Sequence, residues 1–235
     1  MFGDRQPGIQ HSPSGSDRKY FPKIEPDEVR RKMRLDYIRM KNDKAAKLQD
    51  GLQLLLAHSQ VDQVDIKALL QEAADFIHKY FSIRTCTIGL KCKKDGLFRY
   101  VVKAGLRDEP WKQHQTLSYT VDDFQSFEQY SGYEISPFTR VYLEEDNPMT
   151  QEERKAYNRP SMLDLKRRAP DDNLEADYVD TLIYGRGEDL LGWIEISGTI
   201  GGKMPDPLTV KSVETIAHIL ASALLCPGAK MPEGF

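Results

Sequence analysis

The chain has 235 residues, 40% of them hydrophobic and 29% charged, which suffices for one sizeable core and is short for two full domains. A formal net charge of −3 at pH 7 argues against general attraction to nucleic acid or to an anionic membrane surface. Three cysteines, Cys86, Cys92 and Cys226, are too few and too scattered for a disulfide framework, and no apolar run is long enough to cross a bilayer, so the expectation is a soluble, cytoplasmic protein with no membrane partner.

Residues 1–24 mix Gly, Pro, Ser and charge with almost no aliphatic side chains, which predicts a disordered tail. The same stretch lacks the apolar run of a secretory signal. From Pro26 good helix formers continue past Ser59, and residues 25–59 read as one projecting or dimerising helix. Ile38, Ala45 and Leu52 are spaced by seven with Leu48 and Leu55 between them, a short a/d-type seam that weakens upstream at Arg31, Arg34 and Lys41. These five residues are candidates for a homodimer contact; the alternative is an amphipathic helix packed on its own sheet. The arm is locally basic, but Asp36, Asp43 and Asp50 are interspersed and no aromatic-basic stacking motif appears, so the charge reads as a solvated face and not as a nucleic-acid surface.

Asp65 is placed to cap a second helix with Ile66, Leu69, Leu70, Ala73, Phe76, Ile77 and Tyr80 on one side. RTCTIGLKCKK then alternates with period two, Asp95-Gly96 signals a hairpin, and LFRYVVKAGL returns. Cys86, Ile88, Leu90 and Cys92 share one face, and Thr85, Thr87 and Lys91 the other. Residues 107–176 are the least regular and hold Trp111, His114, Tyr119, Tyr130, Tyr133 and Phe138; one strand is expected over about Glu134 to Leu143. The stretch from Leu143 to Asp177 is so charged that it reads as surface loop and helix, with a turn capped by Thr150.

Val179 to Tyr184 and Leu190 to Ser197 form a second hairpin around Gly185 and Gly187. In LLGWIEIS, Leu190, Gly192, Ile194 and Ile196 form an aliphatic face, opposite Leu191, Trp193, Glu195 and Ser197. Gly198, Gly201 and Gly202 lead to Asp206-Pro207, a cap and first-turn proline for a helix with Val210, Val213, Ile216, Ala217, Leu220 and Leu224 on one side. Residues 227–235 read as a flexible C-terminal tail.

The succession from Asp177 to Leu225, with its Gly-rich acidic loop and PDPLTV opening a long helix, resembles the carboxy-terminal half of a GAF domain. GYEISPFTRVYLEEDNPM and the strands near Cys86 extend the resemblance over residues 60–226. It implies a small-molecule sensor or dimerisation module: an α+β domain with a central antiparallel sheet of about five or six strands, helices on one face and an irregular cover on the other. In that family the ligand lies between sheet and cover, which makes Trp193, Glu195, Ser197, Thr85, Thr87, Trp111, Tyr133 and Arg140 the candidate site. Glu195 has a plainer reading, at a solvent-exposed edge or paired with an arginine such as Arg140. The family's cyclic-nucleotide signature has no match after Asn158-Arg159, and no cysteine lies between Cys92 and Cys226 to hold a bilin or to reduce methionine sulfoxide. Cys86 and Cys92 lie about 20 Å apart at ~3.3 Å per residue and read as buried thiols; iron held through His114, His78 or His218 is the minor alternative, with His78 and His218 read as structural imidazoles on apolar helix faces. No phosphate loop, nucleophile elbow, metalloprotease helix or kinase signature appears, so no catalytic residue or metal ligand is assigned and the cofactor is left open. The implied role is a non-catalytic regulator in signal transduction, with a ligand-free docking scaffold as the alternative. With only CPGAKMPEGF after Leu225, a signal is expected to leave through the arm or a separate protein such as a kinase or transcription regulator.

Overall fold

A computed structural model describes residues 25–40, 43–126, 128–147, 149–151 and 153–235. The expected tail, 1–24, lies outside them. The chain divides into two units, Met1–Ala46 and Lys47–Phe235.

In the first unit, α1 (Pro26–Met40) carries Asp27 and Glu28 in its first turn and Arg39 in its last, charges that suit the helix dipole. Val29, Met33, Leu35, Tyr37 and Ile38 are exposed. The expected single helix over 25–59 is two: α2 (Lys44–Ser59) starts anew, because Asp43 Oδ1 accepts from the Ala45 N–H (3.1 Å) and caps it.

In the second unit α3 (Ile66–Tyr80) begins where Asp65 accepts from the Ala68 N–H, as its spacing predicts. Six strands follow: β1 (Cys86–Lys91), β2 (Phe98–Ala104), β3 (Gly132–Ser136), β4 (Thr139–Tyr142), β5 (Tyr178–Tyr184) and β6 (Leu190–Ile196). They form one antiparallel sheet in the order β2-β1-β6-β5-β4-β3. The short helices α4 (Asp108–His114) and α5 (Val121–Gln125) lie between β2 and β3, and α6 (Pro207–Leu224) closes the unit, capped by Asp206 with Pro207 in its first turn. The fold is α+β.

The sheet is two-sided. Cys86, Ile88 and Leu90 of β1, Val102 and Ala104 of β2, Val179 and Ile183 of β5, and Ile194 and Ile196 of β6 are buried in one core with α3 and α6. Leu48, Leu52 and Leu55 of α2 join that core, Leu55 at 1% exposure, and Gly51 lies so near Phe76 of α3 that a Cβ there would meet the ring at 2.2 Å. Three of the five residues assigned to a dimer seam are thus spent inside the domain; Ile38 and Ala45 are exposed. A seven-residue spacing marks an apolar stripe without saying whose surface covers it.

Two further expectations are corrected. One strand over Glu134–Leu143 is the hairpin β3–β4, broken at Pro137 because proline offers no N–H to a ladder. Residues 227–235 are held down and not a free tail: the Lys230 N–H donates to Val64 O (2.8 Å), the Ile66 N–H donates to Lys230 O (3.1 Å), and Met231 and Phe235 pack on the helix-side core.

Candidate functional site

Two β-bulges decide what faces away from the helices. Along β2, Val102 pairs with Ile88 but Tyr100 with Gly89, so Val101 is an extra residue; Phe98 and Tyr100 thereby turn to the face opposite Val102. Along β6, Gly192 pairs with Ile183 and Leu190 with Tyr184, so Leu191 is extra. Leu190 therefore lies beside Trp193 and Leu191 packs on the helix side, the reverse of a strict alternation.

Trp193 sits under the cover, with Phe98 (6.4 Å between centroids), Phe124 (5.1 Å), Tyr119 (5.7 Å) and Tyr100 (4.9 Å) around it. Its indole lies over Gly89, where a Cβ would fall 2.0 Å from the ring. This aromatic cluster fills one end of the cover face.

A cavity of about 800 Å3 opens beside this cluster, with Tyr100, Phe124 and Trp193 as well as Asp180 and Glu195 in its lining. One cross-strand row runs Thr87, Glu195, Asp180, Arg140 and Glu134 over β1, β6, β5, β4 and β3. Glu195 accepts from the Tyr100 hydroxyl at Oε2 (2.7 Å) and from the Thr87 hydroxyl at Oε1 (3.3 Å). Burial first, then the charge of Glu195, holds the Tyr100 hydroxyl well above the usual phenol range, so it stays a neutral donor. Directly opposite Glu195, Asp180 is 5% exposed, and its Oδ1 accepts no hydrogen bond among the described residues. Burial pushes the Asp180 carboxyl well up, Glu195 adds to the shift, and the Arg140 guanidinium opposes it.

Of the predicted site residues, Trp193, Glu195, Ser197 and Thr85 line the cavity. Ser197 Oγ accepts from the Thr85 N–H (2.9 Å), which ties the two together. Thr87 stands one hydrogen bond behind Glu195, and Arg140 is buried in the row beside Asp180, 4.0 Å from Glu134. Glu195 is half-buried and on a central strand, which rules out the solvent-exposed edge as its plainer reading. Trp111 packs on the aromatic cluster under Lys103, away from the cavity wall, and Tyr133 is 71% exposed on the edge strand, facing solvent because β3 has no neighbour beyond it. Asp180 and Tyr100 were missed. Alternation in YVDTLIY placed Asp180 on the cover face and was there to be used, whereas Tyr100 depends on the bulge.

The cover is held by buried carboxylates, contrary to the reading of 143–177 as plain surface. Asp177, 1% exposed, accepts from the N–H groups of Glu144 (2.9 Å) and Leu174 (2.7 Å) and from Arg167 (3.0 Å). Glu144 accepts from Asp164 N (2.6 Å) and Ala176 N (3.1 Å), and Glu175 from Arg159 Nε (2.8 Å). Thr150 and Glu153 form the expected capped turn.

Cys86 is buried on the helix side, its thiol pushed up by burial, then by Glu195 and Asp75. Nδ1 of His78, His114 and His218 each lies within 3.0 Å of a backbone carbonyl, those of Ile83, Pro110 and Glu214. Among the described residues no group of three or more His, Cys, Asp or Glu is placed to hold a metal ion, and no helix is long and apolar enough to cross a membrane.

No family model and no curated protein matches the sequence. Among solved structures, the chain is similar to the GAF domain of an Acinetobacter phosphoenolpyruvate-protein phosphotransferase, at 12% identity over 75% of this chain and 91% of that one, TM-score 0.46. It is also similar to the GAF domain of the corresponding Coxiella burnetii protein (15% identity, 77% and 94%, 0.48). A third is a GAF domain/HD domain protein of Geobacter sulfurreducens (9% identity, 68% and 92%, 0.48).

Proposed function

We propose that the chain is a GAF-type sensor or regulatory domain in signal transduction, holding a small molecule between the sheet and its cover by binding without turnover. The observation that carries this is the cavity of about 800 Å3 with a buried carboxylate oxygen, Asp180 Oδ1, that has no hydrogen-bond partner among the described residues. An unsatisfied buried acceptor costs on the order of 1–3 kcal/mol, and a bound donor removes that cost. The volume falls in the range of small-molecule sites, and the wall mixes aromatic rings with a few polar groups. The GAF resemblance of residues 60–226 implies the same class of role.

Ligand contacts to the cover give it two arrangements of different affinity, which is what a signal requires. The exposed apolar side chains of α1 and Ala45 support a homodimer contact there, and the output is a separate protein such as a kinase or transcription regulator. A ligand-free docking scaffold is favoured by one observation, the aromatic cluster of Phe98, Phe124 and Trp193 that fills one end of the cover face with the protein's own side chains. Native mass spectrometry with an absorption spectrum, on protein purified from its source, separates the two. A stoichiometric added mass that is lost on denaturation is the expected result. No added mass, with no thermal shift from any member of a metabolite library, leaves the scaffold.

A further inference from the structure

Three features of the cavity select the chemistry of what it holds. The first is charge. Asp180 and Glu195 face one another on the floor, Asp123, Asp146 and Glu153 lie along the wall, and Arg84 is the one Lys or Arg among the described lining residues. Arg84 lies 3.6 Å from Glu175 and donates from Nη2 to Thr199 O at 3.2 Å, and its Nη1 has no hydrogen-bond partner among the described residues. A phosphate or carboxylate entering this space meets more carboxylates than cations.

The second is the open acceptor. Both Glu195 oxygens are met by hydroxyl donors, but Oδ1 of Asp180, in a side chain 95% buried on the cavity floor, receives none among the described residues. The third is the aromatic wall. Tyr142 and Tyr178 stack with centroids 4.6 Å apart and sit two residues along their strands from Arg140 and Asp180, on the same face. Ring faces attract cations, most strongly where water is excluded.

We propose that the cavity takes an organic cation with N–H donors, a protonated amine or amidinium, whose nitrogen donates to Asp180 Oδ1 beside Glu195 while its carbon skeleton lies against Tyr142 and Tyr178. The proposal rests on the reading of this cavity as a small-molecule site. A bare metal ion does not fit, since no group of three or more ligating side chains gathers among the described residues. Burial and Glu195 both disfavour the ionised Asp180, and a ligand bearing positive charge offsets both at once.

Isothermal titration of the full chain with benzamidinium, benzamide and benzoate tests it, since the three share shape and differ in charge. Benzamidinium is expected to bind at least about tenfold more tightly than benzamide, the loss of one charge-assisted hydrogen bond, with benzoate weakest. Asp180→Asn is expected to erase that preference, and Glu195→Gln, which keeps the shape of the floor, to reduce it; the second variant carries the test if the first does not fold. Benzoate or benzamide binding as well as benzamidinium overturns the cation assignment and leaves the cavity reading intact. A preference that survives both variants overturns the assignment to this floor. If none of the three binds, any molecule retained by source-purified protein decides: a basic nitrogen in it supports the proposal, its absence overturns it, and no retained molecule together with no thermal shift from any member of a metabolite library overturns both readings.

Discussion

Gly89 shows how one side chain sets the shape of the cover face. Only a residue without Cβ lets the Trp193 indole lie on β1, so Gly89→Ala is an overpacking change expected to cost ~1–3 kcal/mol. In a Trp111→Phe background Trp193 alone reports, and its emission should shift as the ring is lifted; an unchanged spectrum and unfolding midpoint would refute this contact. Asp180 carries the opposite lesson, a group that the fold tolerates at a cost. Its folded value lies above its unfolded one, so the stability it contributes is complete below the unfolded carboxylate value and is lost as pH rises through the folded one. Asp180→Asn removes that loss. Thermal unfolding from pH 5 to 8 should find the variant the more stable, with a gap that widens with pH, whereas a wild type whose advantage grows with pH would mean an ionised, well-paired carboxylate.

Among the elements, the two bulges and the C-terminal segment do work that periodicity does not reveal. Val101 and Leu191 each insert one residue, and each insertion moves a neighbour across the sheet, sending Tyr100 to Glu195 and Leu190 to Trp193. The last residues act as an extra edge to the helix-side core, with Gly234 O accepting from the Cys92 thiol at 3.0 Å. A protein ending at Pro227 should lose the Met231 and Phe235 packing, about 2–4 kcal/mol, and its midpoint should fall by several degrees. Cys92 should then react faster with a thiol reagent under native conditions. Equal reactivity in both forms would show that this segment covers nothing.

At the scale of the whole molecule, the two units pose different tests. Leu55→Asp puts a charge into the shared core of α2, α3 and the sheet, and should unfold the Lys47–Phe235 unit whatever the oligomeric state. Ile38→Asp touches an exposed position on α1 and should leave the midpoint unchanged within about 0.5 kcal/mol. Sedimentation of the two variants beside wild type separates the roles: if α1 carries a dimer contact, the Ile38 variant alone shifts toward monomer while staying folded. An unchanged mass for that variant removes α1 from any such contact.

Period-two and helical spacing were enough to read both capped helices, the hairpins around Asp95-Gly96 and Gly185, and the side of the sheet on which Trp193 and Glu195 stand, because each is set by residues near in sequence, while the α+β class came with the family resemblance. Other features depend on partners far along the chain. The register that places Asp180 opposite Glu195, the bulge that delivers Tyr100, the docking of Phe235 and the use of Leu55 inside the core are of this kind. So is the pinning of a highly charged stretch by Asp177 and Glu144. A spacing tells which residues share a face; what covers that face, and which polar group is left there without a partner, follows only from how strands pair and layers pack.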